Sequence, residues 1–203
     1  MVAKACGRVR RRMSTEERKE QLLSVGARLF AQHPYDDVWV ERVAEIAGVS
    51  RGLLYHYFPT KREFFAAVVR RESERMLTLT EAVQGLPFRE QIDAGLDAFL
   101  THVEQHGSGF RAFHRAEAAG DPTVRAVHKA YLAGVEEQIL DALAADPSAA
   151  PPRDPGALRL AVRGWLAFMV AVCMEWLDEP GPSREQVREL CARALMGALT
   201  PAP

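Results

Sequence analysis

The sequence predicts an all-α fold of about nine helices. Three observations lead there. Apolar residues recur at three- and four-residue spacing along most of the chain. No segment of useful length alternates apolar and polar residues as a half-buried strand would. Capping residues and Pro or Gly breaks punctuate the pattern at helix-length intervals. The 203 residues are 48% hydrophobic and 26% charged, a globular balance with enough apolar side chains for a sizeable core.

Residues 1–13 carry Lys4, Arg8, Arg10, Arg11 and Arg12 and no acidic residue. They read as a flexible basic arm, either simply solvated or adding non-specific attraction to phosphates. No apolar stretch follows these charges, so they do not read as a signal peptide. The first helix starts at Ser14, which has the capping-box spacing to Glu17. Leu22, Val25, Leu29 and Phe30 form its apolar face, and His33-Pro34 ends it because Pro cannot continue a helix. A short link, Tyr35–Val38, leads to a second helix near Val40–Ile46 with Val40, Val43, Ala44 and Ala47 on its stripe. Gly48 interrupts, and Ser50 can cap a third helix to about Tyr57. Phe58-Pro59 breaks it. Thr60 can then cap a fourth helix that buries Phe64, Phe65, Val68 and Val69.

The remainder reads as helix, with weak breaks at Gly85–Pro87, Gly107–Gly109 and Gly120–Pro122. Asp146–Pro155 holds four of the twelve prolines and no periodicity, so it reads as a loop. Two long patterns follow, Gly156–Leu177 and Ser183–Leu199, split at Glu179–Pro182.

Charge divides the chain. Residues 1–75 hold 15 Lys/Arg and 10 Asp/Glu, a net of +5; residues 76–203 hold 11 and 17, a net of −6. A basic first third on an acidic remainder suits a polyanion-binding head on a different body. The expected domains are the arm at 1–13, a head at 14–60 and a body at 61–203. Cys6, Cys173 and Cys191 are odd in number and lack a C-x-x-C or a His-rich neighbour, so they read as free thiols in a reducing compartment. The longest apolar stretch, Trp165–Met174, is too short to span a bilayer. A soluble cytoplasmic protein without a membrane is the expectation.

Function concentrates at Ala47-Gly48-Val49-Ser50. A short Gly-containing turn between two short apolar-faced helices is the helix-turn-helix pattern, and Gly48 suits the left-handed backbone of a sharp corner. On the third helix Leu54 and Phe58 face inward, leaving Ser50, Arg51, Gly52, Tyr55 and His56 outside. Arg51 can fork onto a guanine edge, and His56 can meet a base or a thymine methyl. Gly52 permits close approach to the groove floor. Tyr55 and Tyr57 offer hydroxyls to phosphates. Lys61 can hold a phosphate together with the N-terminal amides of the fourth helix. Val40, at the start of the second helix, joins this candidate DNA-contacting set.

The run Val43-Ala44-Glu45-Ile46-Ala47-Gly48-Val49-Ser50-Arg51-Gly52-Leu53-Leu54-Tyr55-His56-Tyr57-Phe58-Pro59-Thr60-Lys61 closely resembles the N-terminal domain of the tetracycline-repressor (TetR) family, with the match covering residues 15–69. The resemblance implies that Ser50, Arg51, Gly52, Tyr55 and His56 lie on the recognition helix. It implies that Tyr57 and Lys61 meet the phosphate backbone of double-stranded DNA. It also implies a homodimer paired through the last two helices, and a repressor released when an unknown small-molecule effector binds the body. One position departs from the pattern. Trp39 stands where the family usually caps the second helix with Ser or Thr, so that phosphate contact is replaced by the indole N–H or lost.

In the body, Leu160, Ala161, Gly164 and Phe168 share a face of one late helix, and Val187, Leu190 and Ala194 a face of the other. These form either a four-helix dimer interface or an ordinary intrachain core. Phe99, Phe110, Phe113, His114, Glu117, Tyr131, Trp165 and Met169 either line a mostly apolar ligand cavity or are plain core. His102/His106 and His114/Glu117 have spacings that can ligate a metal, but solvated helix faces explain them more simply. No H-E-x-x-H, G-x-S-x-G, Walker loop or dinucleotide fingerprint is present, so no cofactor, metal or enzymatic activity is expected. The rival readings are a metal-dependent helical enzyme and a helical adaptor using the C-terminal helices.

Overall fold

The computed structural model describes residues 13–81, 85–147, 154–179 and 181–199. The basic arm, Cys6 and the centre of the proline-rich loop lie outside the described residues. Nine α-helices are present among the described residues: α1 (Thr15–Gln32), α2 (Val40–Ala47), α3 (Arg51–Tyr57), α4 (Lys61–Leu79), α5 (Phe88–Gln105), α6 (Gly107–Ala118), α7 (Pro122–Ala145), α8 (Pro155–Asp178) and α9 (Arg184–Leu199). The link after α1 contains a 3₁₀ turn, Tyr35–Asp37.

The local signals act as expected. Ser14 and Glu17 make a reciprocal capping box, with Glu17 N donating to Ser14 Oγ at 3.1 Å and Ser14 N to Glu17 Oε2 at 2.7 Å. Ser50, Thr60 and Asp121 each accept from an amide in the first turn they cap. Gly48 has φ 66°, the left-handed corner between α2 and α3.

Two cores organise the chain. The first gathers Leu22 and Phe30 of α1, Val43 of α2, Leu54 of α3 and Phe64 of α4. In its aromatic centre Phe30 meets Phe65 edge to face at 4.8 Å and Phe58 meets Phe64 edge to face at 5.0 Å between centroids. The second joins α5, α7, α8 and α9 around Leu100, Val103, Val162, Cys173 and Cys191. Both of these cysteines are free and buried. Burial pushes the Cys173 thiol up to about 12 and the Cys191 thiol up to about 11.

The expected boundary between 60 and 61 falls where the packing does not divide. Phe64, Phe65 and Val68 of α4 belong to the head core, while the same helix continues along α7 in the body. An ion pair from Arg62 on α4 to Asp121, the N-cap of α7, fastens the two at 2.9 Å. Helix α8 is long and apolar enough by composition to cross a membrane, beyond what the Trp165–Met174 stretch suggests. It nevertheless packs into the body through Val162, Leu166, Met169 and Cys173, and its Arg159 and Arg163 both bond the buried Glu136 of α7.

Candidate nucleic-acid interface and ligand cavity

The outer face of α3 carries the predicted residues. Ser50, Arg51, Gly52, Tyr55 and His56 are exposed, while Leu54 and Phe58 are buried, so the face divides as the four-residue spacing requires. Gly52 has open space where a Cβ would sit. Tyr57 is half-buried and packs against the head core.

The polar residues of this face are not idle. Arg51 pairs with Glu41 of α2 at 2.6 Å, and the Tyr55 hydroxyl donates to the same carboxylate oxygen at 3.1 Å. A hydrogen bond from its own backbone amide, then those from Tyr55 and Arg51, holds the Glu41 carboxyl below its ordinary range. Sequence spacing gave no sign of this contact, because α2 and α3 meet across the turn. Lys61 donates to the Asp36 carbonyl at 3.1 Å and lies 4.6 Å from the Tyr35 ring centroid. Its ammonium has three donors, so two remain for a phosphate.

One expectation at the second helix needs correction. Val40 is only 3% exposed and sits in the head core, so its side chain cannot reach DNA. Trp39 makes no capping hydrogen bond, as a residue without an acceptor must, and its side chain is 73% exposed.

Behind the head lies a cavity of about 220 Å³. Seven of the eight predicted pocket residues line it: Phe99, Phe110, Phe113, His114, Tyr131, Trp165 and Met169. Glu117 does not; it lies beneath the wall, 2.6 Å from His128 Nδ1 and 3.5 Å from His114 Nδ1. His114, Glu117 and His128 have ligand atoms within 4.8 Å of one another, a donor set able to hold a divalent cation. His128 was missed because it lies on α7, one sequence break away from the other two.

The expectation that the histidine pairs lie on solvated faces is overturned. His102, His106, His114 and His128 all line the cavity. Burial pushes the His102 and His114 imidazoles down to about 4, helped by His106 and Arg75 at the first and by His128 at the second. Both are therefore neutral at pH 7. The Tyr131 phenol is pushed up by burial.

The proposed dimer residues divide. Leu160 is 71% exposed, Leu190 43% and Phe168 37%, with Gly164 also exposed and Ala161 and Ala194 half-buried. Val187 is 3% exposed and belongs to the intrachain core, because its helix face turns toward α5 and α8. Trp165 is likewise internal, its indole N–H donating to the Cys191 carbonyl at 2.8 Å.

Comparison with known proteins agrees with this geometry. Residues 22–68 match the family model described as bacterial regulatory proteins, tetR family, and residues 88–197 the one described as tetracyclin repressor-like, C-terminal domain. The chain is 25% identical over 173 residues to the transcriptional activator FasR of Mycolicibacterium smegmatis, spanning 84% of this chain and 77% of that protein. It is 34% identical over 89 residues to the transcriptional repressor AcnR of Corynebacterium diphtheriae, spanning 44% of this chain and 43% of that one. A tetR-family regulator from Streptomyces coelicolor superposes with a TM-score of 0.77 at 29% identity, covering 92% of this chain and 80% of the other.

Proposed function

We propose a regulator released from DNA by a small molecule, starting from one fact: the chain belongs to the TetR family of bacterial regulatory proteins. It is a helix-turn-helix transcriptional regulator and not an enzyme. The finer reading is ours. Two copies pair through the outward faces of α8 and α9, and each lays α3 in a major groove. A twofold pair of heads suits a palindromic site whose halves lie about one helical turn apart, roughly 34–36 Å, or a multiple of it. Such a protein acts in the cytoplasm, where the chromosome is.

The observation that carries ligand control is a shared wall. Phe30 of α1 and Phe65 and Val68 of α4 belong to the core behind the recognition helix and also line the cavity. A guest that repacks them moves the head, and it weakens DNA binding if it prefers the DNA-incompetent spacing of the two heads. Relatives named activator and repressor are both similar to this chain; repression is the sign we propose.

The test is operator binding. Fluorescence anisotropy at moderate salt should show preference for a palindrome upstream of the gene over random DNA, with affinity falling as salt rises. Equal affinity for the two would end the proposal.

A further inference from the structure

The cavity's lining runs for about four turns along each of three helices, and its wall holds no unpaired Asp, Glu, Lys or Arg. We propose that it takes an uncharged single-chain amphiphile, an unbranched apolar chain ending in a hydroxyl, ester or amide, threaded between α4, α5 and α7 with its polar end at His102 and His114. This names the effector class and rests on the ligand-controlled reading above.

Length comes from the helices. Lining residues run from Phe65 to Thr80 on α4, from Gln91 to His106 on α5 and from His128 to Ala142 on α7. Each stretch covers about four turns, about 20 Å of axis. The three stretches lie side by side. Arg62 meets Asp121 at one end of α4 and α7, and Gln138 meets the Leu77 carbonyl at the other, so those helices are parallel. The Phe88 amide at the start of α5 bonds Asp146 just past the end of α7, so α5 runs the opposite way. One end of the channel is therefore Thr80, Gln91, Gln138 and Ala142. The other is the histidines, against the head core. A compact void of about 150 Å³ accepts a single benzene ring. The 220 Å³ here, drawn out over that length, leaves room for one chain across the bore.

Charge comes from the wall. Among the described lining residues Glu72 is the one Asp, Glu, Lys or Arg, and it is paired with Arg71 beside it and with Arg75 at 3.9 Å. Arg75, whose charge His102 also feels, is itself mostly in solvent. A buried carboxylate would find no free cation to offset its lost hydration. The His102 and His114 imidazoles line the other end, and imidazole nitrogens hydrogen-bond hydroxyls and carbonyls. At the far end each of three polar side chains already gives a hydrogen bond to the backbone. Thr80 Oγ1 donates to the Met76 carbonyl at 2.9 Å, Gln91 Nε2 to that of Leu86 at 2.7 Å, and Gln138 Nε2 to that of Leu77 at 2.8 Å. The chain's polar end accordingly belongs at the histidines.

The full chain is tested with three probes of equal carbon count: decanol, decanoate and adamantanol. Decanol should raise the melting midpoint by about 5 °C at saturation and weaken operator binding about tenfold. Decanoate, which differs in charge, and adamantanol, which differs in shape, should do neither. Gly95→Leu serves as the blocked channel. Gly95 lines the cavity and a Cβ there meets nothing closer than the Thr80 carbonyl at 3.8 Å, so the variant folds and fills the bore. Circular dichroism verifies its helices, and decanol should no longer shift it. A decanoate or adamantanol shift matching that of decanol, or a full decanol response in Gly95→Leu, overturns the inference. Melting reads the cavity without DNA. A protein that ignores its operator thus sinks the regulator reading, while the shift still decides the ligand class.

Discussion

Arg51, the residue proposed to read a base, is already engaged in the free protein. Glu41 holds its guanidinium and the Tyr55 hydroxyl together, which fixes the rotamers of two long side chains before DNA arrives. The pair is exposed, so it contributes little to stability, and a guanine edge with a bidentate acceptor pair can displace it. Arg51→Ala is therefore expected to cost about 1–3 kcal/mol on the preferred operator and to relax preference at one base position. Lys61→Ala should weaken every sequence alike and reduce the salt slope by about 1. Competition binding against single-base operator variants separates the two, and an equal loss of preference in both mutants contradicts this division. His114 gives a second prediction at this scale. Its imidazole takes a proton near pH 4 in the folded protein and near 6.5 when unfolded. Between those values the unfolded chain binds more protons, so stability is full above about pH 6.5 and falls as pH drops toward 4. His114 accounts for about 2 kcal/mol of that fall after allowance for partial exposure. His114→Asn should flatten the drop in urea midpoint between about pH 7 and about pH 4.5. An unchanged drop would show that burial of this imidazole is not its source.

Helix faces decide how much of this was legible from spacing. On α3, Leu54 and Phe58 are four apart and are its most buried side chains, so the exposed set Ser50, Arg51, Gly52, Tyr55 and His56 follows from spacing. On α2 and α9 the stripe is equally clear, but a stripe says only that a face is covered, not by what. Val40, at the start of α2, and Val187, on the α9 stripe, are both covered by their own chain. The histidines of α5 and α6 misled in the opposite direction. Polar residues at helical spacing look solvated, and nothing local reveals that α7 brings His128 over them. The junction of α5 and α6, in contrast, shows why its glycines are there. A Cβ on Gly109 would sit 3.3 Å from the Phe30 carbonyl oxygen and 3.4 Å from the Ala31 Cα, both backbone atoms of α1. Side chains cannot swing aside there, so the first turn of α6 rests directly on the helix that carries the head. Gly109→Ala should lift α6 off α1 by a few tenths of an ångström and change operator affinity about fivefold without ligand. The intrinsic helix gain of Ala, about 1 kcal/mol, keeps the fold intact. Thermal melting checks the fold and anisotropy the affinity. Wild-type affinity in a folded variant would show that α6 does not speak to the head through this contact.

At the scale of the molecule, the body leaves one face uncovered. Leu160, Phe168 and Leu190 are exposed on α8 and α9, and exposed Gly164 and Gly197 leave room for another backbone to approach. A stable interface buries roughly 1,600 Å² in total, and a pair of long helices packed on its own copy about a twofold axis reaches that scale. The same helices fill the intrachain core from their other sides, so mutation can separate that core role from the proposed pairing. Leu160→Glu places a charge on the outward face at a side chain that is 71% exposed. It should leave the melting midpoint close to wild type at low concentration, halve the mass measured by light scattering, and cut operator affinity because a lone head reads only a half-site. Val187→Ala opens space inside the chain instead. It should cost about 2 kcal/mol of folding stability and leave the mass that of a dimer. The two variants make opposite errors if the faces are misassigned. A Leu160→Glu protein that stays dimeric, or a Val187→Ala protein that becomes a stable monomer, would mean that the copies meet through another surface.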